Sequence, residues 1–188
     1  MANWCHNNVQ FTGQPDKVSA VIDFFRSMEQ QQTRHKNYEM PDYITAENKS
    51  IVEIGYDDER VYFRSAWRPP LLALNQIADE FGVGYTNKYE EPGMFEYGKA
   101  YYHDGHLDGV RLTLEDAAKI TYHSEREVFI FDGKEFDNDE VIIYGMFNKK
   151  IADFEAAQHI DPAINDQQAQ DKSVQPDNNY TRKQGFRR

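Results

Sequence analysis

The sequence lacks the features that would place it outside the cell or in a membrane. Its 188 residues include one cysteine, Cys5, so no disulfide forms within the chain, which suits a reducing compartment. No apolar run approaches the roughly 18 residues that a membrane-spanning helix needs. The first eight residues have neither the basic nor the apolar segment of a secretory signal. These absences predict a soluble, cytoplasmic protein.

Basic residues are also scarce, because 21 Lys and Arg stand against 32 Asp and Glu, which gives a net charge of −11. Residues 1–160 hold 16 basic and 28 acidic residues, whereas residues 161–188 hold five basic and four acidic ones. Non-specific binding of nucleic acid relies on clustered Lys and Arg, so the acidic body disfavours it. At 14% aromatic residues, the chain is too rich in core-forming side chains to be wholly disordered.

The first half of the chain alternates β-type and α-type patterns. Apolar residues from Val18 to Met28 recur at helical spacing, and the Pro69–Pro70 pair precedes a second helix that ends at Gly82. The predicted elements are a strand at 9–12, a helix from residue 15, strands at 51–54 and 60–67, a helix from residue 71 and a strand at 83–89. This order is typical of the ferredoxin-like split βαβ fold, an α+β fold with a four-stranded antiparallel sheet and two helices on one face.

Beyond residue 93 the patterns predict a β-rich C-terminal extension. Strands at 94–102 and 106–112 flank an Asp-Gly hairpin signal, and Thr113 caps a short helix. A second hairpin is predicted from strands at 127–131 and 141–144. The predicted domains are a ferredoxin-like domain at 1–112, a β-rich extension packed on it at 113–150, and a helical stub with a polar, flexible tail at 151–188.

Three short segments carry a resemblance to a known family. They are Asn3-Trp4-Cys5 with Asn7, the run from Phe63 to Pro70 that reads FRSAWRPP, and the Tyr89-Glu90-Glu91-Pro92-Gly93 segment. Together they resemble the YubB/Api92-like ferredoxin-like domain family of phages, prophages and plasmids. Ser65 stands where the family usually has Thr, and the spacing from Glu90 to Gly93 is one residue longer. The resemblance implies a ferredoxin-like fold and a mobile-element origin, and it implies no reaction.

Two candidate binding sites lie in these segments. Trp67 and Arg68 stand at a strand-to-helix junction, where they form either a partner-binding corner or, with Trp4, an architectural seal of the sheet edge. Glu90, Glu91 and Glu96 flank the bend at Pro92-Gly93. Paired carboxylates with split pKa values perform acid–base chemistry, but a solvated acidic turn is the simpler interpretation.

Two further clusters follow in the extension. A dense acidic run could imitate the phosphate spacing of DNA and occupy a basic groove of a host protein, or could be a solvated hairpin; its residues are Asp132, Glu135, Asp137, Asp139 and Glu140. His103, His106 and Asp108 are the candidate metal ligands. The alternative is that Asp and Gly stand between the two histidines only because their backbone conformations suit a tight turn.

Three functions remain open. The leading hypothesis is a non-enzymatic accessory protein without a cofactor that binds a host protein with a basic surface, as a decoy or inhibitor. The first alternative is a module that binds single-stranded nucleic acid across the sheet face, with stacking from Tyr62, Phe95, Tyr97, Tyr101 and Tyr102. The second is a metal-dependent enzyme at the loops of residues 90–108.

Overall fold

The computed structural model describes residues 3–35, 40–57 and 59–158. Its elements, in chain order, are β1 Trp4–Thr12, α1 Pro15–His35, β2 Val52–Tyr56, β3 Arg60–Ala66, α2 Leu71–Phe81, β4 Gly84–Glu91, a 3₁₀ turn Pro92–Met94, β5 Glu96–His103, β6 His106–Arg111, α3 Leu114–Ala117, β7 Thr121–His123, β8 Val128–Phe131, β9 Lys134–Phe136 and α4 Glu140–Ala157.

The first four strands are arranged as the ferredoxin-like fold requires, but the sheet is larger than predicted. Its order is β2-β3-β1-β4-β5-β6, and each strand is antiparallel to its neighbours. The prediction of four strands is wrong, because β5 pairs with β4 along its whole length and the β5–β6 hairpin continues the same sheet. The α+β class and the ferredoxin-like fold are confirmed.

One face of the sheet carries the main core beneath α1 and α2. Val9 and Phe11 of β1 are buried against Phe25 of α1 and Leu74 of α2, and Tyr85 stacks on Tyr102 across β4 and β5. The side chains of β1 alternate between buried and accessible along the strand, as a half-covered sheet requires. The buried series faces the helices, so the alternate residues face away from them.

The buried face also contains a polar chain, which we call the amide chain. Asn87 Nδ2 donates to Asn7 Oδ1 at 3.0 Å, Asn7 Nδ2 donates to Ser65 Oγ at 2.9 Å, and Ser65 Oγ donates to the Arg68 carbonyl at 2.9 Å. These bonds link β4, β1 and β3, with all three side chains buried. Because each donor finds an acceptor in turn, the direction of the hydrogen bonds is fixed, and Asn87 Oδ1 receives no hydrogen bond from any described residue.

The opposite face of the sheet is covered in part by α4, where the sequence predicted a strand at 141–144. That prediction is wrong, because these residues form the first turns of α4. The β-branched run of Val141, Ile142 and Ile143 is typical of a strand, but Ile142, Ile143, Met146 and Phe147 together form the buried face of a helix. Packing against the sheet therefore decides the conformation.

The predicted second hairpin exists with a different return strand. The turn at Asp132 and Gly133 joins β8 to β9, and β7 pairs with the other edge of β8 to complete a small three-stranded sheet. Asp132 and Gly133 both have positive φ, as a two-residue hairpin turn requires. The predicted tail from residue 161 lies outside the described residues. None of the described helices is long and apolar enough to span a membrane.

Candidate functional site

The three segments that carried the resemblance meet at one end of the large sheet. Trp67 donates its backbone N–H to the Asn3 carbonyl at 2.8 Å, and Trp4 lies opposite Ala66 in the β1–β3 register. Gly93 lies so close to the Asn3 side chain that a Cβ there would be 2.9 Å from Asn3 Nδ2. The chain segments before β1, after β3 and after β4 are thus packed into one junction.

Two tryptophans of this junction are exposed, and we call Trp4, Trp67 and Arg68 the tryptophan corner. Trp67 is 47% exposed and Trp4 is 39% exposed, with the Arg64 guanidinium 5.8 Å from the Trp4 ring. Trp67 also has a φ of 70°, a left-handed conformation that is unfavourable for a bulky side chain. The adjoining prolines are buried and fix the start of α2. The prolines are therefore architectural, whereas the indole of Trp67 is held out in solvent.

Glu90 and Glu91 have separate structural tasks. Glu91 is buried and accepts hydrogen bonds from the backbone N–H groups of Gly93 at 3.0 Å and Met94 at 2.6 Å, so it caps the 3₁₀ turn. The interpretation of Glu91 as part of a solvated turn is wrong. Glu90 accepts the Tyr144 hydroxyl at 2.8 Å, and this hydrogen bond, together with burial, raises the pKa of Tyr144 to about 12.

The face of β3, β1 and β4 that points away from α1 and α2 is uncovered beside α4, and we call it the open face. It carries a groove of about 590 Å³ whose floor includes His6 and Asn8 of β1, with Tyr62 and Lys88 from the flanking strands. Tyr144 of α4 lines one side of the groove. Sequence reasoning missed Lys88, Asn8 and Tyr144 as a group, because only the position of α4 turns this face into a groove.

Of the five aromatic residues proposed for stacking, only Tyr62 lies exposed on the open face. Tyr97 is buried in the core beneath α4, and the Tyr101 ring stacks on Phe154 of α4 at 5.2 Å. Tyr102 belongs to the core on the helix face, and Phe95 packs at the edge of the core beneath α4. The broad aromatic face that the sequence predicted is therefore reduced to one ring.

The acidic run lies on the small sheet and at the start of α4. Asp132, Glu135, Asp137 and Glu140 are exposed and Asp139 is half-buried. Within the described residues, only Glu135 of this run forms an ion pair, with Arg126. Asp139 and Glu140 stand at the N-terminus of α4, where negative charge stabilises a helix, so they have a structural role as well.

The candidate metal ligands do not converge. His103 and His106 lie opposite each other across the turn of the β5–β6 hairpin, and His103 Nδ1 is 3.2 Å from Asp104 Oδ1. Asp108 instead accepts hydrogen bonds from Gly109 N at 2.7 Å and Gln158 Nε2 at 3.1 Å. In residues 3–35, 40–57 and 59–158, no three side chains of His, Cys, Asp or Glu are grouped to hold a metal ion.

Cys5 is placed where a thiol is inert. It is fully buried beside Tyr89 and Ala100 on the helix face, and burial raises its pKa to about 12. Because the thiolate is the reactive form, this cysteine does not act as a nucleophile at neutral pH.

A sheet in this order, with helices packed on one face, defines the chain as an α+β protein of ferredoxin-like fold. Residues 43–132 match the family described as the ferredoxin-like domain in Api92-like protein, so this part of the chain is similar to that family. The match runs from the segment before β2 into the turn after β8. No curated protein and no solved structure matches the chain.

Proposed function

We propose that the protein is a non-enzymatic binding module of a mobile element, and that it recognises a host protein with a basic surface through the tryptophan corner. The observation that carries the proposal is the state of Trp67, which combines an exposed indole with a left-handed backbone. Neither property contributes to folding, because the first leaves apolar area in water and the second costs about 1–2 kcal/mol. Strain of this kind is most often kept at sites of function.

The chemistry of the corner suits a protein partner. Trp and Arg are the residues that most often dominate the energy of protein interfaces, and Trp67 and Arg68 stand side by side and exposed. Trp4 extends the apolar area from the neighbouring strand. The Met94 side chain, which is 53% exposed, follows the segment that packs on Asn3.

The acidic surface sets the charge of the partner. The net charge of −11 favours encounter with a basic protein, and the exposed carboxylates of Asp132, Asp137 and Glu140 form no ion pair with any described residue. Long-range attraction of this kind raises the association rate, whereas a buried aromatic anchor mainly slows dissociation. The two features therefore make separable contributions to one binding event.

The test is affinity purification from a bacterial lysate with the full chain as bait and quantitative mass spectrometry as the readout. The variants are W67A and, as a control, Y122A, which removes an aromatic ring that is 53% exposed on the small sheet. We expect basic proteins that bind the wild type and Y122A but are lost on W67A. The proposal fails if the same proteins are retained by W67A, or if those that distinguish the variants are acidic.

A kinetic measurement on a captured partner separates the two contributions. We expect W67A to weaken binding by about 30-fold, the effect of losing an interface anchor, chiefly through faster dissociation. We expect the variant with Asp132→Asn, Glu135→Gln and Asp137→Asn to slow association and to reduce its dependence on salt. An unchanged association rate in the second variant would remove the acidic run from the proposal.

A further inference from the structure

The open-face groove carries an inference that is independent of the tryptophan corner. Across the register of the sheet, Tyr62, Asn8 and Lys88 stand in one row on β3, β1 and β4. An aromatic ring, an amide and an ammonium group are thus aligned on adjacent strands, all exposed and on the same face. Arg60 continues the face two residues before Tyr62 on β3.

The charge of this groove differs from that of the whole molecule. Of the three carboxylates nearest to it, Glu53 forms an ion pair with Arg64, whereas Asp57 and Glu90 accept the neutral hydroxyls of Tyr62 and Tyr144 and keep their negative charge. Lys88 and Arg60 form no ion pair with any described residue, although the positive charge of Arg60 helps to lower the pKa of Asp57. The Lys88 ammonium lies 5.3 Å from the centre of the Phe147 ring, which holds it beside α4. The charges of Lys88 and Arg60 balance those of Glu90 and Asp57, so this face is close to neutral on an acidic molecule, and both cations are exposed to the phosphates of a ligand.

The polar side chains of the floor have unused hydrogen-bonding capacity. The side chains of His6 and Asn8 form no hydrogen bond with other described residues, and both are exposed. Together they provide donors and acceptors of the kind that read the edges of unpaired bases. The groove has the volume of a small-ligand site and is open along the sheet, so it accommodates an extended ligand of a few units.

From this juxtaposition we infer that the open-face groove binds a short single-stranded nucleic acid. One base stacks on Tyr62, His6 and Asn8 contact base edges, and Lys88 and Arg60 neutralise phosphates. The site is short because α4 covers the continuation of the sheet face over β5 and β6, where Tyr97 and Tyr101 lie beneath its side chains. The ligand is single-stranded because bases that are paired in a duplex have no free face for Tyr62.

The test is fluorescence anisotropy of the full chain with fluorescein-labelled ten-nucleotide oligo(dT) and oligo(U), titrated at several salt concentrations. We expect binding at low salt, with a slope of log K against log salt of about −1.4, because each phosphate neutralised on a single strand contributes about −0.7. A stronger response to oligo(U) would identify RNA as the ligand, and a stronger response to oligo(dT) would identify DNA. No anisotropy change with either oligonucleotide at low salt would overturn the inference.

Variants locate the binding on the open face. We expect Y62A to weaken binding by about tenfold, within the range for loss of one stacked base, and Y62F to bind like the wild type because the ring remains. We expect K88Q to reduce the magnitude of the salt slope by about 0.7, whereas K134Q, which removes an exposed lysine of the small sheet, leaves it unchanged. Binding that is equal in Y62A and wild type, or that falls equally in K88Q and K134Q, would refute the assignment.

Discussion

Asp116 is the carboxylate that joins the cap of α3 to α4. It is 3% exposed and accepts hydrogen bonds from the Thr113 backbone N–H at 2.9 Å and from Lys119 Nζ at 2.9 Å. The Lys150 ammonium, which reaches across from α4, also donates to it. Burial by itself would raise the pKa of Asp116, but the hydrogen bonds from Lys150, Lys119 and Thr113 outweigh it and hold the pKa well below its usual range.

The substitution Asp116→Asn keeps the shape of the side chain and removes its charge. The amide oxygen still accepts from Thr113 and Lys150, but the amide nitrogen now faces Lys119, whose side chain is 59% exposed and turns into water. The main loss in stability comes from the hydrogen bond to Lys150, which no longer joins two opposite charges. The Lys150 side chain is only 34% exposed, so water compensates this loss in part. We therefore expect D116N to lower the free energy of unfolding by about 2 kcal/mol at pH 7.

The sign of the pH dependence follows from the lowered pKa. The stabilisation by Asp116 is fully present well above its unfolded pKa, near the ordinary value of 3.8, and is lost as the pH falls through the lower, folded pKa. About 1 kcal/mol is lost by pH 3, so the difference between wild type and D116N falls from about 2 to about 1 kcal/mol. Other carboxylates affect both proteins equally.

The assay is urea unfolding followed by circular dichroism at pH 7 and pH 3. The control is E115Q, which removes an exposed carboxylate next to Asp116 in the same helix. We expect E115Q to lie within about 0.5 kcal/mol of the wild type at both pH values. The reasoning is refuted if D116N is as stable as E115Q at pH 7, or if its deficit is the same at pH 3 as at pH 7.

Two further substitutions test the strain and the polar core of the fold by the same unfolding assay. Glu127 has a φ of 53°, a left-handed conformation that glycine adopts more easily than glutamate, so we expect E127G to stabilise the protein by about 0.5–1 kcal/mol. The control E125G makes the same change of charge at a residue with ordinary φ and should not stabilise the protein. Equal effects of the two substitutions would contradict the assignment of strain to Glu127. We expect N7A to lower the free energy of unfolding by about 3 kcal/mol, because it interrupts the amide chain. The control N8A, on the open face of the same strand, should lower it by less than about 0.5 kcal/mol. Similar losses in the two variants would show that the amide chain contributes little to stability.

The order of the first six elements could be predicted from the sequence because local signals agreed with the fold. Val18 to Met28 repeat at helical spacing, and Gly82 ends α2 in the left-handed conformation that favours glycine. The start of β1 was less visible. The strand begins at Trp4, but its buried series includes Asn7, and a buried amide interrupts the alternation of apolar and polar residues that marks a strand.

The candidate site was harder to predict because it depends on contacts that are distant in sequence. The run from Val141 to Tyr144 has strand propensity, and its helical state results from packing of Phe147 and Met146 on the sheet. With α4 in place, the Tyr97 and Tyr101 side chains are covered and the groove beside Tyr144 is formed. Of the five aromatic residues predicted to stack on bases, only Tyr62 is exposed on the open face. No local sequence pattern marked Lys88 as part of a site.

The region that matches the family does not coincide with a unit that could fold alone. Residues 43–132 contain β2, β3 and β4 but not β1, which lies between β3 and β4 and hydrogen-bonds to both. They also omit α1, whose Phe25 and Met28 are fully buried in the main core. A chain reduced to the matched region would lose the central strand of its sheet and expose the aromatic core. The open-face groove would be lost with it, since its floor includes His6 and Asn8 of β1 and Tyr144 of α4 lines its side. Any binding measured on such a fragment would therefore reflect its exposed core and not the groove. Both proposals must be tested on the full chain.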